Sequence, residues 1–396
     1  MANIKPPKYV RQVLFALQGR GYPTYLVGGC VRDMLMGVRP QDWDVCTAAL
    51  PAEIMEIFPN SRPTGLKHGT VTVVLDSHTV EVTTFRSDGS YADHRHPDMV
   101  QFVSDLTADL SRRDFTMNAI ALSPEGLLAD PFGGAEDIRR QVIRCVGDPA
   151  QRFEEDALRM FRALRFSARL GFSIELFTME GIRAKAPLAA CLAAERVRDE
   201  VEKLLLTRAP ETLFSLVWLG LLTNYLSPGM PDPALLQKLD KLPRKAQARW
   251  AGLCHVLLQS GCIGSAEDFL TALRLDHRTV RLAADCERLL SLPIPASDLE
   301  RKRWLKRYGV DAVRCALACR DAFFDTNESR ELRRVLRSGE CFSLRDLAVT
   351  GDDLLALGLR GRALGDMLDF LLDYVMEYPD NNRRELLLAL ASGGEE

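Results

Sequence analysis

The sequence predicts an α+β protein: a head built on a small mixed or antiparallel sheet, followed by a chain that is helical to its end. Three observations carry this. Up to about residue 146, short strand-like runs mix with helices, and beyond it almost only helical periods occur. The chain is 396 residues long, too long for one ordinary domain, and its 47% hydrophobic content is enough to bury several cores, so at least two domains are expected.

Taken in order, residues 8–19 place Val10, Val13, Leu14 and Leu17 on one helical face, and Gly21 ends that helix before the strand-like YPTYLV. Gly28 and Gly29 turn the chain into the short helix VRDMLM. WDVCT is the next strand, and Pro51 sits in the first turn of the helix PAEIMEIF. GTVTVVLD and HTVEVTTF alternate around Asp76-Ser77-His78 and read as a β-hairpin. Residues 87–104 are polar, contain Gly and Pro, and read as a long loop of the kind that is functional or disordered in a compact domain. FTMNAIAL is expected to return to helix and VIRCVG to form a last strand. From Pro149 helix follows helix, with breaks at Gly171, Pro187, Pro210, Pro228 to Pro233, Pro243, Gly261, Pro293 to Pro295, Gly309, Gly339 and Gly351, and without a fixed-period repeat.

No apolar run approaches the roughly 18 residues of a membrane span, and MANIKPPKYV has no signal-like core, so a cytoplasmic protein is expected. Ten cysteines are scattered without a close C-x-x-C pair, which indicates neither a disulfide framework nor a zinc ribbon. Cys315 and Cys319 stand one helical turn apart and, with no partner ligands nearby in sequence, are expected to be buried structural thiols. The net charge of −3 argues against a nucleic-acid partner, but local counts reverse it. Arg301 to Arg337 holds eleven Lys and Arg against five acids, a net of +6, and Arg152 to Arg169 a net of +2. Either run alone also fits a solvated helix face.

The chemistry starts at GGCVRDMLMGVRPQDWDVCT, residues 28–47. Residues two apart in a strand point the same way, so Asp42 and Asp44 are expected to project together. Paired carboxylates repel unless a cation sits between them, and Mg²⁺ is usually held by one or two carboxylates plus substrate phosphates. On HTVEVTTF, Glu81 is the only acid and is the candidate third carboxylate. Gly28-Gly29 lies between a strand and a helix, where backbone N–H groups meet phosphates, and Arg32 could reach the same anion. Asp33 is expected to pair with a nearby base as scaffold. Phosphate beside a divalent cation suggests phosphoryl or nucleotidyl transfer.

With these parts in place, residues 26–169 resemble the class II tRNA nucleotidyltransferase and poly(A) polymerase family. GGCVRDMLMG followed by DWD resembles its metal-binding signature, SRRDFTMNAIA (111–121) its ribose-selecting motif, and DPFGGAEDI (130–138) the link that follows. EEDALRMFRALRF (154–166) resembles the template motif and ERVRDEVEKLLL (195–206) the last motif. The resemblance implies a nucleotidyltransferase head over residues 1–146, a helical neck carrying the template motif over 147–207, a helical body over 208–270, and a tRNA-binding helical tail over 271–396. It implies metal at Asp42 and Asp44, with Gly28, Gly29, Arg32 and Arg113 contacting the incoming nucleotide. One ion would activate the terminal 3′-hydroxyl while a second neutralises the leaving pyrophosphate. Asp114 would help select the ribose, its alternative being a cap for the following helix, and Asn118 reads as scaffold.

Asp156 and Arg159, three apart on a helix, are expected to emerge as neighbours. A carboxylate accepting from an exocyclic amine while a guanidinium donates to a ring nitrogen matches cytosine and adenine and refuses uracil and guanine, each misplaced contact costing about 1–3 kcal/mol. Arg162, Arg165 and Arg169 continue that face, and Arg162 and Arg165 are expected to meet triphosphate or primer. The stretch TGLKHGTVTV (64–73) is similar to the CCA-adding type of the family rather than the poly(A) polymerase type, and RSDGSYADHRHPDMVQFV (86–103) supplies the flexible loop that enzymes adding only CC lack. Enzymes that add only the final A keep the loop and stay open as an alternative, as does an RNA-binding protein that no longer catalyses. Implied partners are therefore tRNA, at its 3′ end and elbow, with CTP and ATP as substrates; neither a membrane nor an obligate protein partner is implied. In RWAGLCHVLL, Val256 follows His255 where some relatives carry a metal-binding His-Asp pair, so no phosphatase activity is expected and His255 reads as a core or capping residue.

Overall fold

The structure, a computed structural model, describes residues 4–89 and 100–393. The chain divides into two compact units, Met1–Asn224 and Tyr225–Glu396. Both the fold class and the mixed sheet agree with the sequence.

In the first unit, α1 (Lys8–Gly19) buries the expected stripe Val10, Val13, Leu14 and Leu17. β1 (Thr24–Val27) leads through Gly28 into α2 (Gly29–Leu35), then β2 (Asp44–Thr47) and α3 (Pro51–Ile57). β3 (Ser61–Gly65) and β4 (Thr70–Leu75) precede β5 (His78–Thr84), and the β4–β5 hairpin closes on Asp76-Ser77, with Leu75 opposite His78 and Asp76 in the left-handed region at φ 51°. β6 (Arg86–Asp88) pairs with β7 (Val100–Phe102). α4 (Leu106–Ser111), β8 (Ala121–Leu122), β9 (Leu128–Ala129) and α5 (Gly134–Arg140) complete the head. The seven-stranded sheet runs β3-β4-β5-β2-β1-β8-β9, antiparallel except where β2 lies parallel to β5. α6 (Pro149–Glu155), α7 (Leu158–Leu170), α8 (Leu176–Lys185), α9 (Ala194–Leu205) and α10 (Leu213–Trp218) follow.

Several expectations are corrected. FTMNAIAL forms a single 3₁₀ turn, Thr116–Asn118, and then β8. Phe115, Met117, Ala119, Ile120 and Ala121 are all fully buried, and a short apolar run of this kind carries no period that separates helix from strand. Pairing decides it, because β1 has a free edge that Ala121 and Leu122 cover opposite Val27 and Leu26. VIRCVG forms a strand only at Val142–Ile143, paired in parallel with Ser173–Ile174 and not with the head sheet, with Cys145 in an isolated antiparallel bridge to Phe115. The expected loop 87–104 is strand at both ends; its middle, residues 90–99, lies outside the described residues. Asp42 precedes β2, in a bend, and Asp156 sits between α6 and α7 with φ −144° and ψ 101°, so Asp156 and Arg159 do not share one helix.

Gly134 opens α5 hard against the 3₁₀ turn: a Cβ there would stand 2.1 Å from the Thr116 carbonyl oxygen. Gly134→Ala is therefore expected to destabilise the protein by about 1–3 kcal/mol, the usual cost of overpacking against backbone, read from denaturant unfolding. An unchanged midpoint would show that this contact is not there.

The second unit contains α11 (Pro233–Lys238), α12 (Ala246–Gln259), α13 (Ala266–Ala272), α14 (His277–Ser291), α15 (Asp298–Phe324) and α16 (Glu328–Ser338), followed by α17 (Gly351–Ala356), α18 (Gly361–Glu377) and α19 (Arg384–Ala391). α12 is buried from Ala248 to Leu257 and packs on α14 and α15. α15 is kinked at Gly309, φ 79°, one of the breaks read from the sequence. The last three helices bury their own cluster around Leu354, Leu371, Val375 and Leu387. No helix among the described residues is long and apolar enough to cross a membrane.

Candidate active site

The carboxylates meet at the β2–β5 pair. Parallel pairing puts Asp44 opposite Glu81, so both side chains leave the same face of the sheet, and Asp42 stands just upstream. Val80 and Val82 are buried while Thr79 and Glu81 are exposed, as the alternation of HTVEVTTF predicts. The three acids border one cleft of about 550 Å³, with Tyr9, Gln41 and His78 on its rim. Among the described residues, none of the three carboxylates makes a hydrogen bond or ion pair. Burial pushes the Asp44 carboxyl up, Arg113 draws it down, and Glu81 and Asp42 push it up again. Unpaired carboxylates beside an open cleft are the hard-oxygen donor set that a divalent cation needs. The three do not close a tight cluster: the described residues bring three metal-capable atoms within 4.8 Å only at Cys286, Cys315 and Cys319.

Gly28 joins this site to the basic side. Its φ of 78° favours glycine, and a Cβ there would lie 3.3 Å from Arg113 Nη1 and 3.8 Å from Asp44 Oδ2. Arg113 is fixed by Asp109, 3.1 Å away and four residues earlier, with Arg112 on the same carboxylate at 2.8 Å. Burial pushes Asp109 up, but the two arginines outweigh it and hold it below the usual carboxylate range. The Arg113 Nε is buried without a hydrogen-bond partner. Sequence reading missed Asp109, although its i,i+3 and i,i+4 spacing to the two arginines was a legible signal.

A chain of polar contacts runs from here to α7. Arg32 donates to Asp33 at 2.7 Å, confirming Asp33 as a partner for a base, and to Asn118 at 2.8 Å. Asn118 donates to Asp114 at 3.0 Å, and Arg162 donates from Nε to Asp114 at 2.8 Å. Asp114 is buried, which raises it, yet Arg162 and Asn118 bring it down to about 2. It is the hub of this chain and not a helix cap: the 3₁₀ turn after it is capped at Phe115, with no side-chain bond. The guanidiniums of Arg32, Arg162 and Arg165 all stand over the Phe166 ring, 4.2–5.4 Å from its centroid, a gathering point the sequence reading did not identify.

Asp156 and Arg159 each have partners other than one another. Asp156 accepts from Arg196 at 2.9 and 3.1 Å, and Arg159 donates to Glu155 at 2.8 Å and to the Arg112 carbonyl at 2.9 Å. Arg196 belongs to ERVRDEVEKLLL, so the motif was seen and its role was not. Arg165 is buried against Glu200 of the same motif, and Arg169 is exposed. His255 is buried, 3.3 Å from Glu287 and against Phe323 and Phe324.

In the second unit the basic stretch sorts into two groups. Arg301, Lys302, Lys306 and Arg334 are spent in ion pairs, and Arg320 caps the carbonyls of Leu289 and Leu290. Arg303, Arg307, Arg314, Arg330, Arg333 and Arg337 are exposed and without an ion pair among the described residues.

A glycine turn at the end of β1, beside an acidic cleft and the part-buried Arg113, has the parts of a nucleotidyltransferase, and residues 24–144 match the poly(A) polymerase head domain accordingly. Residues 171–232 match the probable RNA- and SrmB-binding site of polymerase A. Within that class, the chain belongs to the CCA-adding enzyme family. It is 41% identical over 365 residues to the CCA-adding enzyme of Geobacillus thermodenitrificans, covering 88% of this chain and 87% of that protein. Identity to the Geobacillus kaustophilus CCA-adding enzyme is 38% over 98% of this chain and 97% of that one. The crystal structure of the Bacillus stearothermophilus CCA-adding enzyme in complex with CTP superposes with a TM-score of 0.84 at 36% identity, over 98% of both chains. Membership implies dependence on a divalent cation, and the unpaired hard donors of the cleft fit one.

Proposed function

We propose that this chain adds CTP and then ATP to the 3′ end of tRNA, without a nucleic-acid template, releasing pyrophosphate. The observation that carries the proposal is the set of unpaired acids Asp42, Asp44 and Glu81 on one cleft, adjoining the Gly28–Arg113 turn. Asp42 and Asp44 would hold Mg²⁺, with Glu81 bordering the site. When bound, Mg²⁺ supplies charge neutralisation for the triphosphate and a lower pKa for the attacking 3′-hydroxyl. The backbone at Gly28 and Gly29, with the Arg113 guanidinium beside the turn, holds phosphate. Asp114, fixed as an anion by Arg162 and Asn118, accepts from a ribose hydroxyl. Asp156 accepts from the base amine and Arg159 donates to the ring nitrogen, so CTP and ATP satisfy both and UTP and GTP neither. In this reading Arg32 and Arg165 shape the site through Phe166, and Arg162 stands nearest the nucleotide. The head, neck, body and tail divisions at 146, 207 and 270 remain the proposed functional segments. The six exposed arginines of residues 303–337 are the proposed contact to the tRNA elbow, and a cytoplasmic location is the one that fits tRNA as substrate.

The test is incubation with tRNA lacking its terminal CCA, Mg²⁺, CTP and ATP. Two C and one A per tRNA are expected. A alone, and only on CC ends, would indicate the A-adding type; long A tails on unrelated RNA would indicate the polymerase; no incorporation with retained tRNA binding would indicate an inactive RNA-binding protein.

A further inference from the structure

Cys315 and Cys319 are not the partnerless thiols that their sequence spacing suggests. α15 presents them one turn apart towards α14, where Cys286 supplies a third sulfur, and all three sulfurs lie within 4.8 Å of one another. The Cys286 and Cys319 sulfurs are 3.8 Å apart. Tetrahedral zinc with Zn–S bonds of about 2.3 Å has S···S edges of about 3.8 Å, so this edge needs no movement to share one ion. All three cysteines are buried, Cys286 and Cys319 completely.

We propose that Cys286, Cys315 and Cys319 form a binding site for a thiophilic d¹⁰ divalent cation, Zn²⁺ in the cell, that clamps α14 to α15. The site is unrelated to the carboxylate cleft in chemistry, since soft sulfur selects zinc-group ions and hard oxygen selects Mg²⁺. Binding converts the three thiols to thiolates and releases three protons to solvent, leaving the cation and its ligands with one net negative charge, so affinity rises with pH.

The test uses the full chain, reduced and freed of metal, titrated with Cd²⁺ as a spectroscopic probe. A thiolate-to-cadmium charge-transfer band saturating at one equivalent is expected, with a thermal midpoint that rises with free cation and a band that Zn²⁺ displaces. Cys286→Ser, Cys315→Ser and Cys319→Ser should each weaken binding at least about tenfold, while Cys191→Ser, at an exposed thiol, leaves it unchanged. No band from folded, fully reduced protein overturns the proposal, as does a band lost in Cys191→Ser or kept in the Cys315→Ser/Cys319→Ser double variant. Should the serine variants fail to fold, the wild-type titration and its stoichiometry decide. Nucleotide incorporation is not among the readouts, so failure here leaves the carboxylate site untouched.

Discussion

Asp44→Asn is expected to cut CTP incorporation by on the order of 10³-fold, since a carboxylate that positions a catalytic cation is worth several kcal/mol and each 1.36 kcal/mol is a factor of ten. Binding of tRNA should survive. The pKa shift adds a second readout. Burial, Glu81 and Asp42 raise the Asp44 carboxyl in the folded chain, so at neutral pH its ionised form costs stability that the unfolded chain does not bear. The cost is absent below the unfolded pKa and grows as pH rises through the folded one. Removing the charge at pH 7, without metal, should therefore leave the thermal midpoint equal or higher. An active variant would refute the metal role, and a marked loss of stability would mean that Asp44 is held by a partner after all.

Glu200→Ala is expected to destabilise the first unit by about 3–5 kcal/mol, the cost of leaving a buried charge alone, because Arg165 and Glu200 are 8% and 4% exposed and bonded to each other. Burial already lowers the Arg165 pKa against the pull of Glu200, so without Glu200 the guanidinium has little to offset its desolvation. The double replacement Arg165→Met/Glu200→Leu should recover most of the stability, as apolar substitutes for buried ion pairs commonly do. Its KM for CTP then separates two roles. A KM close to wild type fits an arginine that supports the Phe166 platform; a large rise would assign Arg165 to the triphosphate.

Much of the head was legible in the sequence because its signals are short-range. Two-residue alternation fixed the faces of β5, Gly28 marked the turn into α2, and Pro51 marked the start of α3. Where the outcome depended on distant pairing, local pattern misled. The run around Asn118 has no usable period, and only the free edge of β1 makes it strand. Asp156 and Arg159 have helical spacing, but the chain breaks between α6 and α7, and Asp156 bonds to Arg196, forty residues on. Likewise the +6 of residues 301–337 counts charges that the fold spends internally; which six stay outside depends on Asp298, Glu340 and Asp373, all outside that stretch. The acids were readable by chemistry, but their sharing of one cleft depends on β2 lying parallel to β5.

The two-residue turn at Asp76-Ser77 carries a restriction of its own. Because neighbouring strand positions point to opposite sides, one added or deleted residue between Leu75 and His78 would move β5 by a single step against its neighbours. Valines would then surface where Glu81 now stands, and the acid would be driven into the sheet's packed side. Length variation in this family at that hairpin should accordingly come in pairs of residues or not at all, with the tip serving as a ruler for the cleft.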